Sequence, residues 1–360
     1  MKKLVAILLA LVLVLSFAAC AKTDAPADAP ADKPADAPAD APADAPADAP
    51  ADEPASKGTI GYIIPGAADY YSVSQDVVEI ECDKAGYEFV SLNSEGSSEK
   101  ELANIEDLIS KKVSAILLLV CNGESAARGC ELANEAGIPI VFVASEPNEG
   151  GGQPSAVVSA DWTKVGQLDA AWIKANKPGA KIVNISGVPG QNISDNIDAA
   201  LIAGLEGTDA SIVETYYGEW SGDLAMSYTQ DILTSGREFD IITYCNEGMA
   251  WGGVSALKEA GIEPGKYTVI SHNGSDDGVQ LMEEGYLMYT VELAPTTEAY
   301  LAIHAAFALI DGKENVKFFI ENPAIELTPE TIEANRVTWD PEEFCAEVAP
   351  TLDLDALLYE

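Results

Sequence analysis

What most constrains this chain is a rhythm that starts at Gly58, where short, mostly apolar runs alternate with longer amphipathic stretches. The runs include Thr59 to Pro65 (TIGYIIP), Ser114 to Val120 (SAILLLV), Ile138 to Val143 (IPIVFV), Lys181 to Ser186 (KIVNIS), Phe239 to Tyr244 (FDIITY) and Tyr267 to Ser271 (YTVIS). A strand with one wet face alternates apolar and polar residues, whereas continuous hydrophobicity fits a strand covered on both faces. Between the runs, segments such as Glu101 to Lys112 place Leu102, Ile105, Leu108 and Ile109 on one helical face. Three of them end alike, at Ala85-Gly86-Tyr87, Ala136-Gly137-Ile138 and Ala260-Gly261-Ile262, with a glycine suited to the left-handed position that closes a helix. Strand and helix in alternation give parallel sheets with right-handed crossovers, and there are too many units for one compact domain. The expected fold class is therefore α/β, with two doubly wound parallel-sheet lobes. Ligands of such sheets sit beyond the carboxyl ends of the strands, so the residues after each run are the candidates for a site.

The first 57 residues do not share this rhythm. Lys2 and Lys3 precede an apolar segment, Leu4 to Leu15, which has the length of an export signal and falls short of the about 20 residues of a bilayer span. Phe17-Ala18-Ala19-Cys20 resembles the lipobox of bacterial lipoproteins, which implies cleavage after residue 19 and a diacylglyceryl group on the sulfur of Cys20. From Asp24 to Asp52 an aspartate recurs every four residues in the repeat Ala-Pro-Ala-Asp. With no apolar side chain larger than alanine, residues 20–57 cannot bury enough surface to offset their ordering entropy. They read as an extended spacer of about 3.1 Å per residue between a membrane anchor and an extracytoplasmic domain.

The formal charge is -39, of which five lysines and nine acids before Gly58 account for only -4. The remaining acidity argues against nucleic acid, which needs Lys and Arg to neutralise phosphates. Besides Cys20 there are Cys82, Cys121, Cys130, Cys245 and Cys345, an odd number that cannot all pair internally. Cys82, Cys121 and Cys245 stand in apolar contexts where a free cysteine acts as a small hydrophobe, which points to surroundings poor in oxidant. No C-x-x-C occurs and the histidines are only His272 and His304, so neither a metal site nor a cofactor is expected. Gly150-Gly151-Gly152 lacks the lysine and the strand-to-helix setting of a phosphate loop.

At the loop positions, Pro65-Gly66-Ala67-Ala68-Asp69-Tyr70-Tyr71, Lys100-Glu101-Leu102-Ala103-Asn104, Gly187 to Gly190, Gly218-Glu219-Trp220-Ser221, Asn246-Glu247-Gly248-Met249-Ala250 and Ser271-His272-Asn273-Gly274 follow one another in order. Together they resemble the type I periplasmic binding proteins, the ribose- and galactose-type sugar receptors of ABC importers, over residues 59 to about 328. The resemblance implies a first lobe of 58–160 plus 294–318 and a second of 161–293 plus 319–330. Three crossovers form a hinge between them, and residues 331–360 are left as a C-terminal tail. It also implies a monomer with no enzymatic activity, and as partners a small sugar-like ligand, an ABC permease and, through the lipid, the membrane.

By the same resemblance Tyr70, Tyr71 and Trp220 supply aromatic surface, and Asn246 and Asn273 supply hydrogen-bonding groups. Glu247 is either a ligand group or a charge favouring the N-terminus of the helix it begins, and Asp195 either a ligand group or a helix cap. His272 is read as a ligand contact or as a structural turn residue. Where ribose-type members carry an Asp-Arg pair this chain has Ala144-Ser145, followed by Glu146. A second family arginine is replaced by Asp195, and a hinge glutamine by Leu293. Ser145 and Glu146 thus join the candidates, and both expected guanidinium clamps are missing. The expected ligand is a neutral polyhydroxylated molecule, with a nucleoside or a cationic amine as alternatives and phosphorylated or carboxylated solutes disfavoured. A sensory receptor feeding a membrane signalling protein is the alternative role. A glycosidase built on Asp195 and Glu247 is the remote one.

Overall fold

A computed structural model describes residues 56–145 and 150–360. The export signal, Cys20, nearly all of the spacer and Glu146 lie outside the described residues. No helix among the described residues is long and apolar enough to cross a membrane.

The chain begins with β1 (Thr59–Ile64), α1 (Asp69–Ala85), β2 (Glu88–Asn93), α2 (Ser98–Ser110), β3 (Ala115–Leu119), α3 (Gly123–Ala136), β4 (Ile140–Val143) and β5 (Ala156–Ser159). It continues through α4 (Trp162–Asn176), β6 (Lys181–Ser186), α5 (Asn192–Leu205), β7 (Ser211–Tyr217), α6 (Gly222–Thr234), β8 (Ile241–Tyr244), α7 (Glu247–Glu259), β9 (Thr268–Asn273), α8 (Asp276–Glu283) and β10 (Leu287–Glu292). Then come α9 (Pro295–Ile310), β11 (Phe319–Glu321), β12 (Ile325–Leu327) and α10 (Ile332–Asn335). The strands form two six-stranded sheets ordered β11-β5-β4-β3-β1-β2 and β12-β10-β9-β8-β6-β7. All pairings are parallel except that of β12 with β10. Each sheet therefore repeats the same doubly wound order, with its reversal between the first and third strands of the lobe.

The apolar runs become strands because both faces of each sheet are covered. In the first sheet Ile60, Tyr62, Leu117 and Val141 pack under α1 and α9, while Ile63, Ile116, Leu118 and Phe142 pack on the opposite face with Ile105 and Leu108 of α2. This is the period-two alternation of a pleated strand with apolar residues on both sides. The edge strands β2 and β7 are only partly buried, which is why neither reads as a continuous apolar run. Gly86 and Gly137 close α1 and α3 at φ 81° and 69°, as their sequence positions lead one to expect.

The backbone passes between lobes after β5, after β10 and after β11. Strand β11 pairs with β5, so residues 319–321 belong to the first sheet. The third passage therefore falls between Glu321 and Ile325, not at 318 as the sequence leads one to expect. Nor is the tail a single appendage of one lobe. Ile332 sits in the core of the second lobe, whereas Phe344, Cys345, Ala349 and Leu358 sit in that of the first, so the chain passes between lobes a fourth time.

The five cysteines among the described residues are all free thiols. Burial pushes Cys82 and Cys130 up to about 12 and Cys345 up to about 11, which removes the thiolate that oxidation requires. A chain starting at Ser56, unfolded without reductant, should titrate five thiols, with Cys121 reacting first in the native protein because the other four are buried. Fewer than three would contradict the reading of an oxidant-poor environment.

Candidate functional site

Both switch points lie at the carboxyl ends of the parallel strands, on the side where the passages between lobes begin. In the first lobe β1 runs through Pro65 to Ala68, which is extended and gives α1 no side-chain cap. The first turn of α1 presents Tyr70 and Tyr71, both half-buried, with rings edge to face at 6.1 Å. Tyr71 lies near Cys121 at the end of β3, and burial, followed by that thiol, pushes its hydroxyl up to about 12. Tyr70 turns inward, its hydroxyl donating at 2.5 Å to Glu298 Oε2 in the first turn of α9, with its ring edge against Trp339. After β4, Ala144 is held at φ 64°, and its carbonyl accepts from Trp162 Nε1 (2.9 Å) and Ser159 Oγ (2.8 Å), which leaves Ser145 buried beside the first passage.

In the second lobe Trp220 follows Glu219 in a consecutive left-handed pair, φ 51° and 61°, a conformation that costs about 1–3 kcal/mol per residue and persists only where the surroundings fix it. The turn lays the indole on the backbone of Gly187, where any Cβ would stand 2.5 Å from the ring. The indole Nε1 donates to Gln191 Oε1 at 2.8 Å, and Gln191 Nε2 in turn donates across the lobes to the Cys121 carbonyl at 3.4 Å. Gln191 precedes α5 without capping it, so its amide is left to make this bridge. Nothing in the sequence marks Gln191; only its place between the ends of β6 and β3 reveals it.

The remaining candidates fall into separate settings. Asn246 caps α7, Oδ1 accepting from Met249 N at 2.8 Å, which leaves Nδ2 to other partners. Asn273 ends β9 half-buried at φ 126°. Asp195 is exposed, its Oδ1 accepting from Gly190 N at 3.2 Å, a bond that steadies the turn into α5. Glu247 is fully buried and accepts from Gly274 N (3.0 Å), Ser275 N (2.6 Å), Ser275 Oγ and Thr290 Oγ1 (2.6 Å). It thereby ties the start of α7 to β10 and to the loop that follows β9. His272 is buried too, with Nε2 on Asp169 Oδ2 at 2.9 Å and Nδ1 facing the Cys245 carbonyl. Burial alone would lower this imidazole, but the Asp169 carboxylate outweighs it and holds His272 well above its usual range.

A cavity of about 410 Å³ adjoins these loops, lined from both lobes by Ser145, Ser159, Asp161, Trp162, Asn192, Asn196, Phe319 and Glu321. Of the candidates it takes in Ser145, and none of Tyr71, Trp220, Asn246 or Asn273. The cations standing at this end of the sheets are paired: Lys100 with Glu95, Lys164 with Glu321, and Arg336 with Asp276.

Two carboxyls flank the second passage. Glu292 and Glu298 are both 1% exposed, each with one oxygen lacking a partner, and burial pushes each up to about 8. Val337 N and Arg336 pull Glu292 back toward the ionised form, as Tyr70 and Asn322 do Glu298.

A model of a periplasmic binding protein domain matches residues 60–314. Among curated proteins the chain is 22% identical over 261 residues to the ribose import binding protein of Escherichia coli K12, covering 72% of this chain and 87% of that one. It is 24% identical to the ribose import binding protein of Bacillus subtilis 168, covering 71% and 83%. Among solved structures it resembles an ABC transporter solute binding protein from Bacillus halodurans with bound myo-inositol (TM-score 0.72, 23% identity, 77% of this chain and 96% of that chain). It is similar also to one from Actinobacillus succinogenes with bound D-allose (TM-score 0.71, 22% identity, 77% and 99%).

A carboxyl whose folded value stands above its unfolded one gives stability that is fully present below the unfolded value and is lost as pH rises through the folded one. Glu298→Gln, which keeps an acceptor for Tyr70, should therefore raise the melting temperature by a few degrees above about pH 8 and change it little near about pH 5. Parallel melting-temperature profiles for the two proteins would show that Glu298 ionises normally.

Proposed function

We propose, from the premise that the chain belongs to the family of periplasmic binding protein domains, that it is an extracytoplasmic solute receptor. It takes a small, neutral, polyhydroxylated molecule between its lobes and delivers it to an ABC importer. No bond is made or broken. The observation that carries this reading is the chain Trp220–Gln191–Cys121, which joins the strand ends of one lobe to those of the other beside Tyr71. Polar groups that already meet across the lobes at both switch points are placed to exchange this contact for a solute gripped from two sides. A ligand touching both lobes stabilises their approach by its differential affinity for that arrangement.

The chemistry of the strand ends supports a neutral ligand. Trp220 and Tyr71 offer flat apolar surface for the C–H face of a sugar ring, and Asn246, Asn273, Gln191 and Ser145 offer uncharged hydrogen-bonding groups. Asp195 belongs to the same proposed rim, while Tyr70 and Glu247 would shape it from behind through their internal bonds. The cations at this end are all paired, which disfavours phosphates and carboxylates. The ribose, myo-inositol and D-allose named for relatives and similar structures are likewise uncharged. A cationic amine is the second reading. It is favoured by Asp277, whose carboxyl is pushed up by burial and by the neighbouring Asp69 and Asp276 carboxylates.

The lipobox-like stretch ending at Cys20 and the Ala-Pro-Ala-Asp repeat support a lipid-anchored form that holds the receptor off the membrane on a spacer. Cys20→Ser should then move the chain from the membrane fraction to the soluble fraction. Retention at the membrane would count against the anchor and leave the receptor reading intact.

Thermal denaturation against aldoses, cyclitols, amines and sugar phosphates tests the ligand class. A ligand at 100 times its dissociation constant adds about 2.7 kcal/mol of stability. Trp220→Ala should weaken binding about tenfold or more, equivalent to about 1.4 kcal/mol. Stabilisation by sugar phosphates alone would overturn the proposed ligand class.

A further inference from the structure

The fourth passage between lobes lies beyond the residues matched by the family model, and its contacts are unlike those of a loose tail. Arg336 is anchored on the second lobe: Nε donates to the Gly274 carbonyl at 2.7 Å, and the guanidinium pairs with Asp276 at the start of α8. The next amide, Val337 N, donates at 2.7 Å to Oε1 of Glu292, the last residue of β10. One residue further the contacts change lobe. The Thr338 carbonyl accepts from Thr296 Oγ1 of α9 at 3.0 Å, and the buried Trp339 ring stands edge-on to Tyr70 at 5.9 Å. Past Asp340 the chain is part of the first lobe, with Phe344 fully buried 5.8 Å from the Tyr300 ring and Leu358 O accepting from Lys317 N at 2.8 Å.

From Arg336 to Trp339 there are three peptide units, which reach about 10–11 Å when fully extended. A segment this short, bonded to one lobe at its start and packed into the other at its end, has little slack for separation of the lobes. We propose that Arg336–Trp339 is a tether, a fourth strand beside the other passages, which holds the lobes in the approach seen here and limits how far the cleft between them opens. Its functional consequence rests on the receptor reading: loosening the tether weakens solute binding although none of its residues reaches the solute. Trp339 adds a further link, because the ring it steadies belongs to Tyr70, which backs the rim from behind.

The test reads lobe separation without any solute. In the full chain carrying Cys20→Ser and Cys121→Ser, the latter removing the one thiol among the described residues that is not buried, spin labels at Glu99→Cys and Asp223→Cys report the distance across the mouth of the cleft. Arg336→Ala should shift that distance several ångströms longer and broaden its distribution. Inserting Gly-Gly-Ser-Gly between Val337 and Thr338 keeps every anchor, adds slack, and should do the same. Folded variants with the parent distribution would overturn the tether. In the unaltered chain, the Val337 amide should exchange hydrogen as slowly as the amides of β10, and exchange at the rate of an unprotected amide would also overturn it. Because no solute enters these measurements, their failure leaves the receptor reading standing, and failure to bind sugars leaves the tether standing.

Discussion

Both sheets are covered by helices on both faces, and the rest of the molecule depends on that constraint. Ile60, Tyr62, Leu117 and Val141 on one side of the first sheet, and Ile63, Ile116 and Phe142 on the other, leave no open sheet face for a solute. The chemistry is therefore confined to the carboxyl ends of the strands, where the backbone must turn and its polar groups need partners. In each lobe the strand order reverses between its first and third strands, so neighbouring connections diverge and leave a notch. Two notches, one with Tyr71 and the other with Trp220 and the amides of Gln191, Asn246 and Asn273, meet across the passages. Gln191 spans the join.

The ground beneath this site is polar and buried, an expensive arrangement unless every group is matched. Glu247 illustrates a matched carboxylate, with four donors from β10 and the loop between β9 and α8. His272 and Asp169 pair between β9 and α4 through Oδ2, while the buried Oδ1 of Asp169 has no partner. Glu292 and Glu298 are matched at one oxygen each and stand on either side of Leu293 and Ala294, where the chain passes from one lobe to the other. Glu292 and Glu298 thus stand where the lobes join, whereas Glu247 and Asp169 lie within a single lobe. Movement between the lobes would disturb the first kind and leave the second untouched.

The C-terminal segment changes the mechanics that two lobes and three passages would have alone. Its contacts touch Glu292 on one side and the Tyr70 and Glu298 neighbourhood on the other, so it stitches together the two buried carboxyls and the aromatic ring behind the rim. Tail, passage and rim are in this sense a single unit.

The α/β class, the six central strands and the glycine closures of α1 and α3 were legible in the sequence, because continuous burial leaves a continuous apolar run and a left-handed closure calls for glycine. The edge strands β2 and β7 were not, since partial exposure breaks up the run. The strand ends could be named as candidates, but their roles could not. Asn246 looks like a ligand residue and also caps a helix, and Glu247 beside it is wholly bound inside. Gln191 carries no local pattern at all, and residues 336–339 read only as part of a C-terminal tail. Periodicity records whether a residue is buried, which is a local property of an element and so is written in the residues nearby. Which side chains meet across two lobes depends on contacts between residues far apart in sequence, such as Gln191 with Cys121 and Trp339 with Tyr70, and only the tertiary structure decides those.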